Sequence, residues 1–157
     1  MPTISRAHLT AIARNKLSAP VMMLVRRGVL LGRILDYGCG RGYDACTLGA
    51  DKYDPYYSPD RPGGPFATVI CNFVLNVIED EWTRRNVLTD IDDYLTQDGV
   101  AYITVRNDKR ALKGTTSKGT WQGLITLDLP VVHQTTGYTT YAMRKGQSDC
   151  AMQSEIF

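Results

Sequence analysis

The sequence predicts an α/β fold: a mostly parallel sheet with helices on its faces and an antiparallel hairpin at the C-terminal end. Three observations carry this reading. Residues 33–54, RILDYGCGRGYDACTLGADKYD, run as strand, glycine turn, helix, strand and closing acid, which is half of a nucleotide-binding unit. The apolar run ATVICN at 67–72 has the length of a strand, and a segment of helical period follows at 81–96. Residues 129–134 and 138–144 flank Thr135-Thr136-Gly137 as the strands of a hairpin do. With 157 residues, 43% of them apolar and 22% charged, a single domain is expected. It divides into an N-terminal arm and helix (1–30), a cofactor-binding core (31–107), a loop and closing hairpin (108–145) and a tail (146–157).

Taken in order, residues 1–17 read as an arm or irregular helix. Ser18-Ala19-Pro20 marks a helix start with Ser18 as N-cap, and Gly28 ends that helix just after Arg27. Val21, Leu24 and Val25 fall at helical spacing and are expected to face the sheet. The first strand covers 33–37, a short helix covers 43–48, and a second strand covers 52–54. Pro55, Pro59, Pro62 and Pro65 then exclude both a helix and a central strand before Phe66. After the strand at 67–72, the helix at 81–96 is expected to turn Trp82, Val87, Leu88, Ile91 and Leu95 inward. Asp98-Gly99 reads as a turn, 100–105 as a strand, and 107–123 as a polar, basic loop.

The glycine turn narrows the ligand. Dinucleotide sites use G-x-G-x-x-G, whereas here Asp36 precedes Gly38, Gly40 and Gly42 at alternate positions. Leu35 to Gly42, LDYGCGRG, resembles the "LDxGCGxG" of motif I in class I S-adenosylmethionine (SAM) methyltransferases. Phe73 to Asp80 resembles the segment after that family's fourth strand. The resemblance implies a minimal Rossmann-like class I methyltransferase fold, S-adenosyl-L-methionine as cofactor and S-adenosylhomocysteine (SAH) as product. It implies Asp36 near the methionine ammonium, and Gly38, Cys39, Gly40 and Gly42 along the ribose and methionine. The usual fold also places a helix, a third strand and another helix between the second and fourth strands. About a dozen proline-rich residues do not hold them, so strand 3 is expected to be missing or vestigial, with the second strand near the sheet edge.

Asp54 closes the second strand, where an acid can accept both ribose hydroxyls, with Pro55 beside it. Asp54-Pro55-Tyr56-Tyr57 also resembles the D-P-P-Y of adenine amino-methyltransferases. That motif ends a fourth strand, and this one follows the second, so Asp54 is assigned to ribose and the tyrosines to the adenine side. Asn72 and Phe73 complete the expected cofactor contacts. More closely, LSAPV, GVLLGRILDYGCGRGYD, DPYYSPD and NFVLNVIED together resemble the methyltransferase-like proteins associated with DNA phosphorothioation gene clusters. That resemblance covers residues 5–107, and more loosely reaches about 145. It implies a place near nucleic-acid modification and supplies no catalytic residue.

Methyl transfer asks a protein chiefly to orient two reactants, and a base only where the acceptor must lose a proton. Asn72, Asn76 and Glu79 are the candidates at the carboxyl ends of the strands. Arg106, Lys109, Arg110 and Lys113 are candidates for a phosphate or other acceptor group. His8 and His133 read as structural or exposed. Cys39, Cys46, Cys71 and Cys150 have no metal-ligand spacing, so no metal is expected and the thiols suit a reducing cytoplasm.

No acid precedes Asp36, while Arg6, Arg14, Lys16, Arg26, Arg27 and Arg33 do, which suits an anionic partner such as nucleic acid. No apolar run reaches the roughly 18 residues of a membrane span. An open edge at the second strand points to a homodimer or a partner subunit. The expected function is methyl transfer to nucleic acid or a related substrate. A SAM-binding module and a small-molecule methyltransferase are the alternatives.

Overall fold

The computed structural model describes residues 6–108, 114–116 and 119–152. Its frame is a six-stranded sheet in the order β2-β1-β3-β4-β8-β7. Strands β2 (Asp51–Tyr53), β1 (Ile34–Tyr37), β3 (Phe66–Asn72) and β4 (Leu95–Arg106) run parallel. β8 (Tyr138–Arg144) lies antiparallel to β4, and β7 (Val131–Gln134) closes the hairpin at the far edge.

Alternation along the strands sends side chains to two faces. Helix α1 (Ala19–Arg27) covers one face, with Val21, Met23 and Leu24 against Ile70 and Tyr102. The short α2 (Tyr43–Leu48) joins it through Leu48. Helix α3 (Glu81–Tyr94) covers the other, with Leu88, Ile91 and Tyr94 against Leu35, Val69 and Ile103. Among the described residues, no helix is long and apolar enough to cross a membrane.

The expected order of elements holds, including the absence of the third strand. Residues 54–65 contain only a single bridge between Asp54 and Ser58, and β2 is the sheet edge. Arg61 anchors this proline-rich stretch. Its guanidinium lies 4.8 Å from the Tyr53 ring centre and 5.3 Å from that of Tyr94, and it ion-pairs with Asp90.

Several expectations are corrected. Val25 is 45% exposed while Met23 packs inward, and Trp82, in the first turn of α3, is 70% exposed. Leu95 opens β4 instead of ending α3. Asp98-Gly99 is a bulge inside β4, where the pairing passes from Phe66 with Leu95 to Thr68 with Val100. The loop at 107–123 carries a small ribbon of β5 (Gly114–Thr115) and β6 (Trp121–Gln122).

The tail is not loose as far as Met152. Ala151 and Met152 are buried in the core, and Met152 bridges Leu127. Asp92 of α3 holds this segment. Its carboxylate accepts from the Gly146 and Ser148 amides, and Lys145 lies 3.5 Å away. Burial opposes the charge, yet those amides and the lysine outweigh it and keep the carboxyl below its usual range.

Asp92→Ala leaves these donors unpaired and is expected to cost about 2–3 kcal/mol in urea unfolding. The contribution is present above the unfolded carboxylate pKa and is lost as pH falls through the lower, folded one. A change under about 0.5 kcal/mol would show that the C-terminal segment is not held this way.

Candidate functional site

A cleft of about 1630 Å³ opens at the carboxyl ends of β1 and β3. The glycine turn forms its floor. The Gly38 and Cys39 amides both donate to the Tyr53 carbonyl, at 2.7 and 3.1 Å, which ties the turn to the end of β2. Gly38 has φ +74°, and a Cβ there would come within 2.4 Å of Val74. Only glycine fits that position. Gly40, at φ +55°, faces Ala11 of the N-terminal arm, so the arm lies over the turn.

Acids surround the turn. Asp54 is fixed by backbone: Oδ2 accepts from the Gly40 amide at 2.9 Å, and Oδ1 from the Tyr56 and Tyr57 amides at 2.9 and 3.0 Å. Asp44, which pattern reading missed, accepts from the Ser18 amide and hydroxyl at 2.9 and 2.7 Å. Ser18 thus sits at the N-cap position but spends its hydroxyl on joining α1 to α2. Asp36 is 4% exposed and has no hydrogen-bond or ion-pair partner among the described residues, yet it lines the cleft. Burial first, and then the negative charges of Asp44 and Asp54, push its carboxyl up to about 8. Burial and Asp36 push the Cys39 thiol up to about 12, which removes it as a nucleophile near neutral pH.

The remaining candidates separate. Both polar atoms of the Asn72 amide are sealed from solvent and unpartnered among the described residues, and Asn72 and Phe73 line the cleft. Phe73 keeps φ +60°, a strained conformation for a bulky residue. Asn76 is fully buried and already engaged. Its Nδ2 donates to Gln122 Oε1 at 3.0 Å, its Oδ1 accepts from the Arg106 amide at 3.5 Å, and its carbonyl takes the Gly123 amide. It lines the cleft and holds the β6 segment in place. Glu79 is exposed at the rim, and neighbouring Asp80 caps α3 by accepting from the Thr83 amide. Pro55 and Arg106 line the cleft, while Lys109, Arg110 and Lys113 lie outside the described residues.

His8 is a further correction. The arm brings it into the cleft, where it stacks on Tyr56 at 3.9 Å and its carbonyl receives the Tyr57 hydroxyl at 3.4 Å. His133 instead meets Arg27 on the hairpin. Trp121 and Tyr138 also line the cleft. They come from segments far along the chain, and no local pattern marks them.

No family model matches this chain, and no curated protein sequence matches it. Solved structures do. N-methyltransferase NodS from Bradyrhizobium japonicum, in complex with SAH, is 13% identical with a TM-score of 0.53, over 81% of this chain and 84% of that one. A DhpI–SAH complex is 14% identical with a TM-score of 0.56, over 82% and 84%. The 1,6-didemethyltoxoflavin-N1-methyltransferase of Burkholderia thailandensis, with its namesake ligand and SAH, is 15% identical with a TM-score of 0.54, over 90% and 79%. The chain has the class I methyltransferase fold. In that fold the carboxyl ends of the strands form the ligand cleft, and there stand Asp36, Asp54 and Asn72.

Because Asp36 carries a raised carboxyl pKa, ligand-free stability is fullest below the unfolded value near 4. It is expected to fall as pH rises toward about 8. Asp36→Asn should remove this slope and stabilise the protein at pH 8 by about 1–3 kcal/mol. Chemical denaturation of both forms at pH 5 and pH 8 checks it, and a parallel pH response of variant and parent would contradict the assignment.

Proposed function

We propose that the chain is a SAM-dependent methyltransferase acting on a small acceptor. One observation carries the reading: a buried acid with no partner among the described residues, beside a glycine turn, in a fold whose solved neighbours hold SAH. A buried carboxylate calls for a cation, and the ammonium of SAM is one. The donor set fits the rest of that molecule. Asp54, oriented by the Gly40, Tyr56 and Tyr57 amides, is suited to ribose hydroxyls. Tyr56 with His8 offers a flat wall for adenine. Asn72 offers an amide to the methionine end or to the acceptor.

When bound, the cofactor supplies an electrophilic methyl group on a sulfonium. The chain's own part is orientation. The arm at Ala11 and His8 shields the turn from water, and Asp36 exchanges a proton for the incoming positive charge. Among the described residues, no side chain in the cleft is placed as a strong base, which suits an acceptor that is nucleophilic without prior ionisation. Coverage by the arm and β6 favours an acceptor of modest size.

Calorimetry is expected to give micromolar SAM and SAH affinity, worth about 8 kcal/mol. Asp54→Ala should weaken it by roughly 1–3 kcal/mol through lost charge-assisted hydrogen bonds. Undiminished SAM binding in that variant would show that a different acid holds the ribose. Tritiated-methyl transfer to metabolite and nucleic-acid pools separates an enzyme from a SAM-binding module.

Arg6, Arg14, Arg41 and Arg106 along the cleft support a second reading, in line with the resemblance to phosphorothioation-associated proteins: a nucleic-acid acceptor. It predicts DNA or RNA binding that weakens steeply with salt, by about 0.9 in log affinity per log salt for each phosphate contacted on duplex DNA. Absent or salt-insensitive binding to duplex, single-stranded DNA and tRNA leaves the small-acceptor reading alone.

A further inference from the structure

Resting on the methyltransferase reading above, we propose that the acceptor is a planar amine that also carries an anionic group. The argument begins with strand register. Asn72 of β3 pairs with Thr104 of β4, and Arg106 lies two residues farther along β4, directly opposite Tyr138 of β8. Alternation puts these four side chains on the sheet face that also bears Asp36, which pairs with Ile70 two residues before Asn72. One strand spacing across and two residues along separate Asn72 from Arg106 by about 8 Å between Cα atoms. That register makes the two side chains neighbours on one face of the sheet, within reach of a single small ligand.

The two ends differ in chemistry. Thr104 and Thr140 satisfy each other at 2.7 Å, which leaves the buried Asn72 amide unengaged among the described residues. Its oxygen can accept an amine N–H, but an amide does not remove a proton at neutral pH. It therefore orients a nitrogen whose lone pair is already available. At the other end, Arg106 lines the cleft, and its guanidinium has no hydrogen bond or ion pair among the described residues. Its planar fork matches a carboxylate or phosphate.

Beside this pair, Phe73 and Tyr138 meet edge-to-face at 6.4 Å as aromatic walls of the cleft. Such walls suit a flat ring. In transfer, the acceptor nitrogen forms its new bond to the methyl carbon as the carbon–sulfur bond breaks. That electron pair stays on sulfur, and the ammonium product releases its proton to solvent.

The test is calorimetry on the SAH-saturated full chain with matched probes: 4-aminobenzoate against aniline, and 4-aminophenyl phosphate against 4-aminophenol. The anionic member of at least one pair is expected to bind at least tenfold more tightly. Arg106→Ala should abolish that advantage without changing SAH affinity, which also reports that the variant is folded. Arg106→Lys should keep part of it. Asn72→Ala should shrink the difference between 4-aminobenzoate and benzoate. Equal affinity within both pairs, no binding by any probe, or an advantage that survives Arg106→Ala overturns the proposal. Wild-type protein that fails to bind SAH, measured before any acceptor is added, overturns the methyltransferase reading itself.

Discussion

A single electrostatic constraint shapes this molecule: the carboxyl of Asp36 is buried near the end of strand β1 with no hydrogen-bond or ion-pair partner among the described residues. Desolvation and the nearby charges of Asp44 and Asp54 make its ionised form costly. The surrounding structure nonetheless presents it to a cleft. Asp44 is committed to Ser18, and Asp54 to three backbone amides, so neither can relax away. The fold therefore keeps in place a destabilising group that a cationic ligand would relieve, an arrangement characteristic of ligand sites.

The sheet positions this group economically. The segment that would hold a third strand is replaced by a proline-rich connection pinned by Arg61 between two tyrosines and Asp90. At the other end, Asp92 gathers the 145–152 segment onto α3 and sends Ala151 and Met152 into the core. These two polar anchors let a short chain close a three-layer structure.

Much of the frame was legible in the sequence because it rests on local rules. Glycines at positive φ, a proline-laden gap and period-2 apolar runs each identify their own element. The glycine turn and the acid that closes β2 follow the same local rules, whereas Asp36 was singled out through the resemblance to motif I. What escaped depends on tertiary placement. His8 reaches the cleft because the arm folds back over Gly40, and Asp44 matters because Ser18 meets it across two helices. Trp121 arrives from the β5–β6 ribbon and Tyr138 from the β7–β8 hairpin. Asn76 and Asn72 are equivalent candidates in sequence, but the first bonds Gln122 and the Arg106 amide while the second has no partner among the described residues. Trp82 fits the inward face by period alone, yet it lies in the first turn of α3, where it stays in solvent.

The central claim is that Asp36 waits for a positive charge. Carboxyl-carbon NMR titration of Asp36, with and without SAH, measures this directly. The account predicts a midpoint near pH 8 in the free protein. With SAH bound, it predicts a drop into or below the ordinary carboxylate range, because the ligand's ammonium stabilises the ionised form. An ordinary carboxylate midpoint in the free protein, or one that SAH leaves unmoved, would contradict it.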